Sequence, residues 1–193
     1  PPGSTSWLTA NEVMCVEGPF EERVKPESRE AVRQTMAGLT AAGLFPKTLR
    51  LTAEFARGGW WAETSLCRGM FAAHAADRQD HGPRMSERVR SLIDRGSAIS
   101  DAEHQEALQL VERWAHFLGS HVSNGSVVVN AATEGVAPLR GEGTGFPMMQ
   151  ALWTLLGWPV LAVPTGTHEN LPVGVPLAAA PGNEGRLFST AQL

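Results

Sequence analysis

Side chains that could act as a general base or a metal ligand are few and scattered along this chain. The six histidines form no HExxH pair or other metal-ligand spacing, and no GxSxG nucleophile elbow is present. His116 and His121 are the closest pair in sequence, but Gly119 lies between them. The pattern therefore indicates neither a metal centre nor a serine–histidine hydrolase.

Two lysines and one glycine-rich loop are the other candidates for chemistry. Lys25 precedes a predicted helix and Lys47 follows Pro46 in a predicted loop, so both are expected to be exposed charges. Residues 141–143, Gly-Glu-Gly, follow no predicted strand and form no GxGxxG, which argues against phosphate binding. No complete catalytic apparatus is predicted within this chain.

The most apolar stretch, residues 145–174, is predicted to form the centre of the fold. In order, it comprises a helix at 150–156, a strand at 160–163, a polar loop at 167–170 and a strand at 173–177. Gly157 and Pro159 should end the helix. Pro164 and Gly166 should close the first strand, whose unbroken apolar character predicts burial on both faces of the sheet.

The remaining elements follow from caps and apolar periodicity. Predicted strands lie at 13–16, 49–51 and 127–129, and predicted helices at 26–42, 86–95, 100–118 and 183–193, with 55–76 helical in part and 1–6 linker-like. Gly43 is interpreted as the cap of the first of these helices and Gly119 as the end of the helix at 100–118, and Gly96 follows the helix at 86–95. Ser100 and Glu103 form a predicted capping box. No internal repeat is visible, so a single domain is expected.

Composition and charge exclude some partners. The chain has 193 residues, 42% hydrophobic and 19% charged, with a net charge of −4 and interspersed signs. This composition gives no argument for nucleic acid or an anionic membrane as a partner, and the longest apolar run, 151–163, is too short to span a bilayer. Cys15 and Cys67 form no CxxC pair, so a cytoplasmic, reducing location is the default expectation.

The central stretch and the residue before it contain a set of residues in a fixed order: Thr144, Gly145, Pro147, Leu152, Trp153, Thr154, Leu155, Leu156, Gly157, Pro159, Pro164, Gly166, Leu171, Pro172, Val173 and Gly174. In these residues the chain resembles the C-terminal part of a known family, the amidase signature enzymes. Ala137 and Pro138 match as well, but Ser126, Asn130 and Ala131 replace the family's usual Asp, Thr and Pro. The resemblance is strong after residue 126 and weak before residue 80.

The resemblance implies an α/β fold, a mixed β-sheet with helices on both faces. Residues 1–193 would be the C-terminal part of a single amidase domain whose N-terminal catalytic half is absent. A start without Met and an end within a predicted helix favour the same interpretation. The family's Ser, cis-linked Ser and Lys triad would lie in that missing half, so the chain supplies no catalytic residue and is expected to be inactive alone.

The resemblance further implies hydrolysis of a small-molecule carboxylic amide to an acid plus ammonia or amine, without a metal or cofactor. The chain would contribute a substrate-pocket wall formed by Gly145, Phe146, Pro147, Met149 and Trp153. No acid stands in this turn, so apolar or aromatic acyl groups are favoured. A homodimer is left open, and the alternative is a non-catalytic, amidase-like binding module or subunit.

Overall fold

The computed structural model describes residues 12–193, so the predicted linker at 1–6 lies outside the described residues. The described chain divides into two compact units. One comprises residues 12–56 together with Phe117–Leu193, and the other is Arg57–His116. The first unit contains the sheet, and the second is helical.

Five strands of residues 12–193 form one mixed sheet in the order β2-β1-β3-β5-β4. Their bounds are β1 Val13–Glu17, β2 Lys47–Arg50, β3 Val127–Val129, β4 Val160–His168 and β5 Leu171–Ala178. β1 is parallel to both β2 and β3, whereas β5 is antiparallel to β3 and β4. The short run Val127–Val129 is fully buried, as its sequence predicts.

Helices cover both faces of this sheet. Since successive strand side chains point to opposite faces, Val127 and Val129 join one apolar cluster and Val128 joins the other. The first cluster includes residues of helices α1 (Pro26–Ala41) and α6 (Glu184–Ala191). The second includes Trp153 of α5 (Met148–Leu156) and Leu118. The predicted fold class is therefore confirmed.

The second unit is built from α2 (Gly58–His81), α3 (Glu87–Ala98) and most of α4 (Asp101–His121), with a kink in α2 at His74. The prediction that this helix ends before Gly96 is wrong, because Gly96 lies inside α3. A Cβ atom there would overlap the carbonyl oxygen of Cys67 in α2 and lie 2.8 Å from Cβ of Phe71. Gly96 therefore lets two helix backbones approach each other closely.

The start of α4 agrees with its prediction and the end does not. The N–H of Ser100 donates to the Glu103 carboxylate over 2.9 Å, and the N–H of Glu103 donates to Oγ of Ser100 over 3.2 Å. These two bonds are the predicted capping box. Gly119, however, lies inside the helix, which continues to His121, so its interpretation as the end of the helix is wrong.

The strands after α5 are longer than predicted. β4 continues through Pro164 to His168, with an irregular pairing register between Pro164 and Gly166. The expectation that this strand is buried on both faces is wrong, because β4 is an edge strand whose side chains alternate between exposed and partly buried. The predicted polar loop is only the two-residue turn Glu169-Asn170, and both residues have positive φ, as a type I′ turn requires.

Residues 12–193 contain neither a helix that could span a membrane nor a group of side chains that could bind a metal. No helix in this range combines the length and apolar content that crossing a membrane would need. Within the same range, no three His, Cys, Asp or Glu side chains come together as a metal-binding group.

Candidate functional site

The turn that leads into α5 lies on the connection that follows the carboxyl end of β3. β1 and β3 are parallel neighbours, so their carboxyl ends are at the same edge of the sheet. The segments that follow them, residues 18–25 and 130–147, therefore emerge side by side. In open α/β sheets, ligands bind in crevices outside the carboxyl ends of strands. This edge is consequently where a binding site is expected.

Phe146 is the best-anchored side chain of the turn. Its partly buried ring meets the ring of Phe20 edge to face, with 5.2 Å between centroids and an interplanar angle of 81°. The guanidinium carbon of Arg23 lies 4.1 Å from the centroid of the same ring. Phe20 and Arg23 both belong to the connection after β1, so the Phe146 ring joins the two connections.

Glu134 connects the same two segments from the other direction. Its carboxylate forms an ion pair with Nε of Arg23, and its carbonyl oxygen accepts a 2.6 Å hydrogen bond from the N–H of Lys25. Next to it, Gly135 allows close packing, because a Cβ atom there would lie 2.7 Å from Cδ of Lys25.

Asn130 holds the first turn of α5 against the end of β3. This 8% exposed side chain accepts a hydrogen bond over 3.1 Å from Nε1 of Trp153. Its Nδ2 donates to the carbonyl oxygens of Met149, over 3.2 Å, and Ala131, over 2.9 Å. A buried amide with three such bonds fixes its neighbours, because each broken bond would leave a desolvated polar group.

Gln150 adds a second amide link. Its Nε2 donates to the carbonyl oxygens of Ala131 and Ala132, both over 3.1 Å. Its Oε1 is buried and has no hydrogen-bond partner among residues 12–193. Together, Asn130 and Gln150 make the position of α5 depend on residues 130–132.

The five residues predicted to line a pocket fall into two environments. Gly145, with φ of +84°, and Pro147 are exposed, while Phe146 and Met149 are partly buried. Trp153 is only 1% exposed and stacks on Trp158, with 5.4 Å between ring centroids. The structure thus places the first four at the start of α5 and buries Trp153 in the second apolar cluster.

Sequence reasoning misses Phe20, Arg23, Glu134 and Gln150. Phe20 and Arg23 belong to an irregular connection with no periodicity, and their contacts join them to residues far along the chain. No motif signals them. Asn130 stands out in the sequence only as a departure from the family pattern.

Two side chains that could act as nucleophiles, Cys15 and Ser120, can be judged from their surroundings. Burial, with smaller contributions from Glu17 and Glu21, raises the pKa of the Cys15 thiol to about 11, so this thiol stays protonated and unreactive near neutral pH. Oγ of Ser120 lies 3.0 Å from Nδ1 of His121, but both groups are exposed and both contact the carbonyl oxygen of Phe117. This pair satisfies the end of α4 and does not form a nucleophile–base pair in a cleft.

Of the comparisons with known proteins, the one with solved structures agrees with this architecture. No protein-family model matches the sequence, and no curated protein is significantly similar to it. A solved amidase superimposes with a TM-score of 0.80 at 21% identity, covering 95% of this chain and 45% of that one. A bacterial aryl acylamidase of the amidase signature family gives 0.71 at 14% identity, covering 97% of this chain and 44% of that one.

A third neighbour is the native peptide amidase from Stenotrophomonas maltophilia. Its TM-score is 0.64 at 20% identity, covering 95% of this chain and 42% of that one. The chain therefore has the fold of amidase signature enzymes, which confirms the predicted resemblance at the level of the fold. It spans less than half the length of each of these three structures.

Proposed function

We propose that this chain is the C-terminal portion of an amidase signature hydrolase that cleaves carboxylic amides to an acid plus ammonia or amine. The observation that carries the proposal is the match of 95% of this chain to a solved amidase at a TM-score of 0.80. The acyl-enzyme would form on a serine of the missing N-terminal part, which would also supply the cis-linked serine and the lysine.

Physical chemistry supports placing the catalytic serines and lysine in the N-terminal part of the protein. A serine hydroxyl is a weak nucleophile that needs an adjacent base, and a lysine acts as that base only if burial or neighbours lower its pKa. Lys25 and Lys47 are both exposed, and Lys47 forms an ion pair with Glu12. Neither lysine is therefore suited to the role.

The outer edge of the sheet supports a partner within the same protein. β4 is nine residues long, pairs only with β5 among residues 12–193, and exposes 43% of Val160. A long apolar edge strand invites pairing with a further strand. We propose that the N-terminal half of the protein covers this edge.

Two expectations from the sequence stay untested by the structure. The cytoplasmic location stays a prediction, and the formation of a homodimer stays open.

The turn before α5 would form the acyl side of the pocket. Gly145, Phe146, Pro147 and Met149 would provide an apolar surface near the carboxyl ends of β1 and β3, and the bond from Trp153 to Asn130 links α5 to the end of β3. Such a surface favours apolar or aromatic acyl groups over charged ones, because burying an unpaired ammonium group is costly.

The experiment measures acyl preference in the full-length protein. Phe146→Ala should lower the ratio of kcat/KM for an aromatic amide over that for a small aliphatic amide by about 10- to 200-fold, since one apolar contact is lost. Phe146→Asp should also disfavour aromatic amides and relatively favour substrates with an amino group.

Phe188→Ala is the matched control, because Phe188 is a phenylalanine of α6 with 60% of its side chain exposed. It should leave the ratio unchanged. A ratio that stays within about twofold in folded Phe146 variants would mean that the ring does not contact the acyl group.

The second candidate is a non-catalytic, amidase-like module or subunit. The exposed Ser120–His121 contact and the exposed lysines Lys25 and Lys47 fit a module that works as it stands as well as they fit one portion of a hydrolase. The coding sequence upstream of Pro1 discriminates between the two candidates. A Lys and a Gly-Ser-Ser loop there would support the hydrolase, and their absence would support the module.

A further inference from the structure

We propose that Arg23 is a positioning residue that fixes the orientation of the Phe146 ring and thereby tunes the acyl preference of the site. This inference rests on the proposed amidase function for its effect on specificity. Its structural part, the clamp on Phe146, is independent of that function. The clamp is defined as Phe20, Arg23, Phe146 and Glu134.

Arg23 can fix the ring because Glu134 holds the Nε end of its guanidinium group. The only hydrogen-bond or ion-pair partner of its side chain in residues 12–193 is Glu134, which binds Nε. Glu134 is in turn tied to the same segment through its carbonyl oxygen, which accepts from the N–H of Lys25 over 2.6 Å. The guanidinium is thereby held over Phe146, with its carbon 4.1 Å from the ring centroid.

The ring of Phe146 is also restrained by an aromatic contact, with the ring of Phe20. The edge-to-face contact with Phe20 has a centroid distance of 5.2 Å, a favourable geometry for an aromatic pair. The guanidinium occupies one face of the ring, where the quadrupole attracts a cation. Two contacts of different type therefore define both the position and the tilt of the ring.

The backbone before Phe146 is a glycine-rich connection. Gly141, Gly143 and Gly145 all have positive φ, so the approach to α5 is rich in residues with few conformational restrictions. No helix or strand lies between β3 and α5. The ring of Phe146 is consequently positioned by its side-chain contacts as well as by the helix that follows.

The chemistry of arginine predicts a graded response to substitution. A planar guanidinium can stack on a ring and pair with a carboxylate at the same time, whereas a lysine ammonium keeps the charge without the planar geometry. Arg23→Met, which removes the charge but retains length, should lower the aromatic-to-aliphatic kcat/KM ratio about 2- to 5-fold. Arg23→Lys should lower it less, and Glu134→Gln should lower it in the same direction.

The activity test uses the full-length protein and two controls. Arg33→Met is the matched control, because Arg33 is an exposed arginine of α1 paired with Glu30, and it should leave the ratio unchanged. In a Phe146→Ala background, Arg23→Met should have no further effect on the ratio. An unchanged ratio in folded Arg23→Met, or an equal change in Arg33→Met, would overturn the specificity part of the proposal.

A second readout does not depend on activity. In full-length protein with 13C-labelled phenylalanine, Phe146→Ala identifies the ring signals of Phe146 by their loss. Arg23→Met should shift or broaden those signals, whereas Arg33→Met should not. If the protein hydrolyses no amide but the signals move, the amidase function fails and the clamp stands. Unmoved Phe146 signals in Arg23→Met would refute the clamp itself.

Discussion

Gly157 carries the left-handed turn that ends α5. Its φ is +65°, and its N–H bonds to the carbonyl oxygen of Thr154. We expect Gly157→Val to lower the free energy of unfolding by about 1–3 kcal/mol, because a β-branched residue is strained at positive φ. Chemical denaturation of the full-length protein measures the change.

Gly38→Ala serves as the comparison for that measurement. Gly38 lies within α1, and a Cβ atom there would have no neighbour within 4 Å, so this variant should be stabilised by about 0.5–1 kcal/mol. Equal stability of Gly157→Val and the wild type would show that the turn tolerates a side chain.

Single glycines also show where sequence prediction succeeds and fails. The predictions of Gly157 and Gly43 as caps are confirmed, because a helix end with positive φ is a local property of the chain. Gly96 and Gly119 follow similar apolar patterns but lie inside helices. For Gly96 the reason is contact with Cys67 in another helix, and that partner cannot be identified from local sequence.

The contact of α2 with α3 gives a prediction at the scale of elements. Gly96→Ala should lower stability by about 1–3 kcal/mol, because the added Cβ overlaps backbone atoms of Cys67, which cannot rotate away. Gly69→Ala, in the middle of α2 with open space around the added Cβ, should instead be neutral or stabilising. Unfolding by denaturant compares the two, and similar effects would contradict the close helix contact.

The capping box of α4 predicts a pH dependence of stability. Hydrogen bonds from Ser100 lower the pKa of the exposed Glu103 carboxyl, so Glu103 should stabilise the helix at pH values above the ordinary pKa of a glutamate. This stabilisation is lost as the pH falls through the lowered folded-state pKa. The difference in Tm between wild type and Glu103→Ala should therefore shrink below that range.

Glu103→Gln is the control for this pH series, because an amide retains an acceptor for the box but does not titrate. Its Tm difference from Glu103→Ala should persist into the acid range. A wild-type advantage over Glu103→Ala that is the same at every pH would rule out the ionised carboxylate as its source.

For the strands, the sequence predicts that a strand forms better than it predicts where that strand lies in the sheet. The sequences Val127–Val129 and Val-Leu-Ala-Val at 160–163 are both short apolar runs, yet the first is central and the second forms part of the edge strand β4. Pairing partners decide this difference, and they are remote in sequence. In the same way, the resemblance locates the turn at Phe146, but its contacts with Phe20 and Arg23 require the folded chain.

At the scale of the whole molecule, we expect the isolated 193-residue chain to hydrolyse no amide. It contains the fold of less than half of a known amidase, and its lysines are exposed. The assay compares ammonia or amine release by the isolated chain and by the full-length protein, on aromatic and aliphatic amides. Turnover by the isolated chain that is abolished by changing one of its own serines would contradict this expectation.

The sheet joins strand pairs that differ greatly in the length of chain between them. His168 pairs with Leu171 across a two-residue turn, whereas Val13 pairs with Val127 only after the entire helical unit intervenes in the sequence. A hairpin can form in about 1–10 μs, but closing a long loop carries an entropy cost before any contact compensates for it. The β4–β5 hairpin should therefore be an early folding nucleus, and the docking of β1 against β3, which also brings the two halves of the clamp together, should be a late and rate-limiting event.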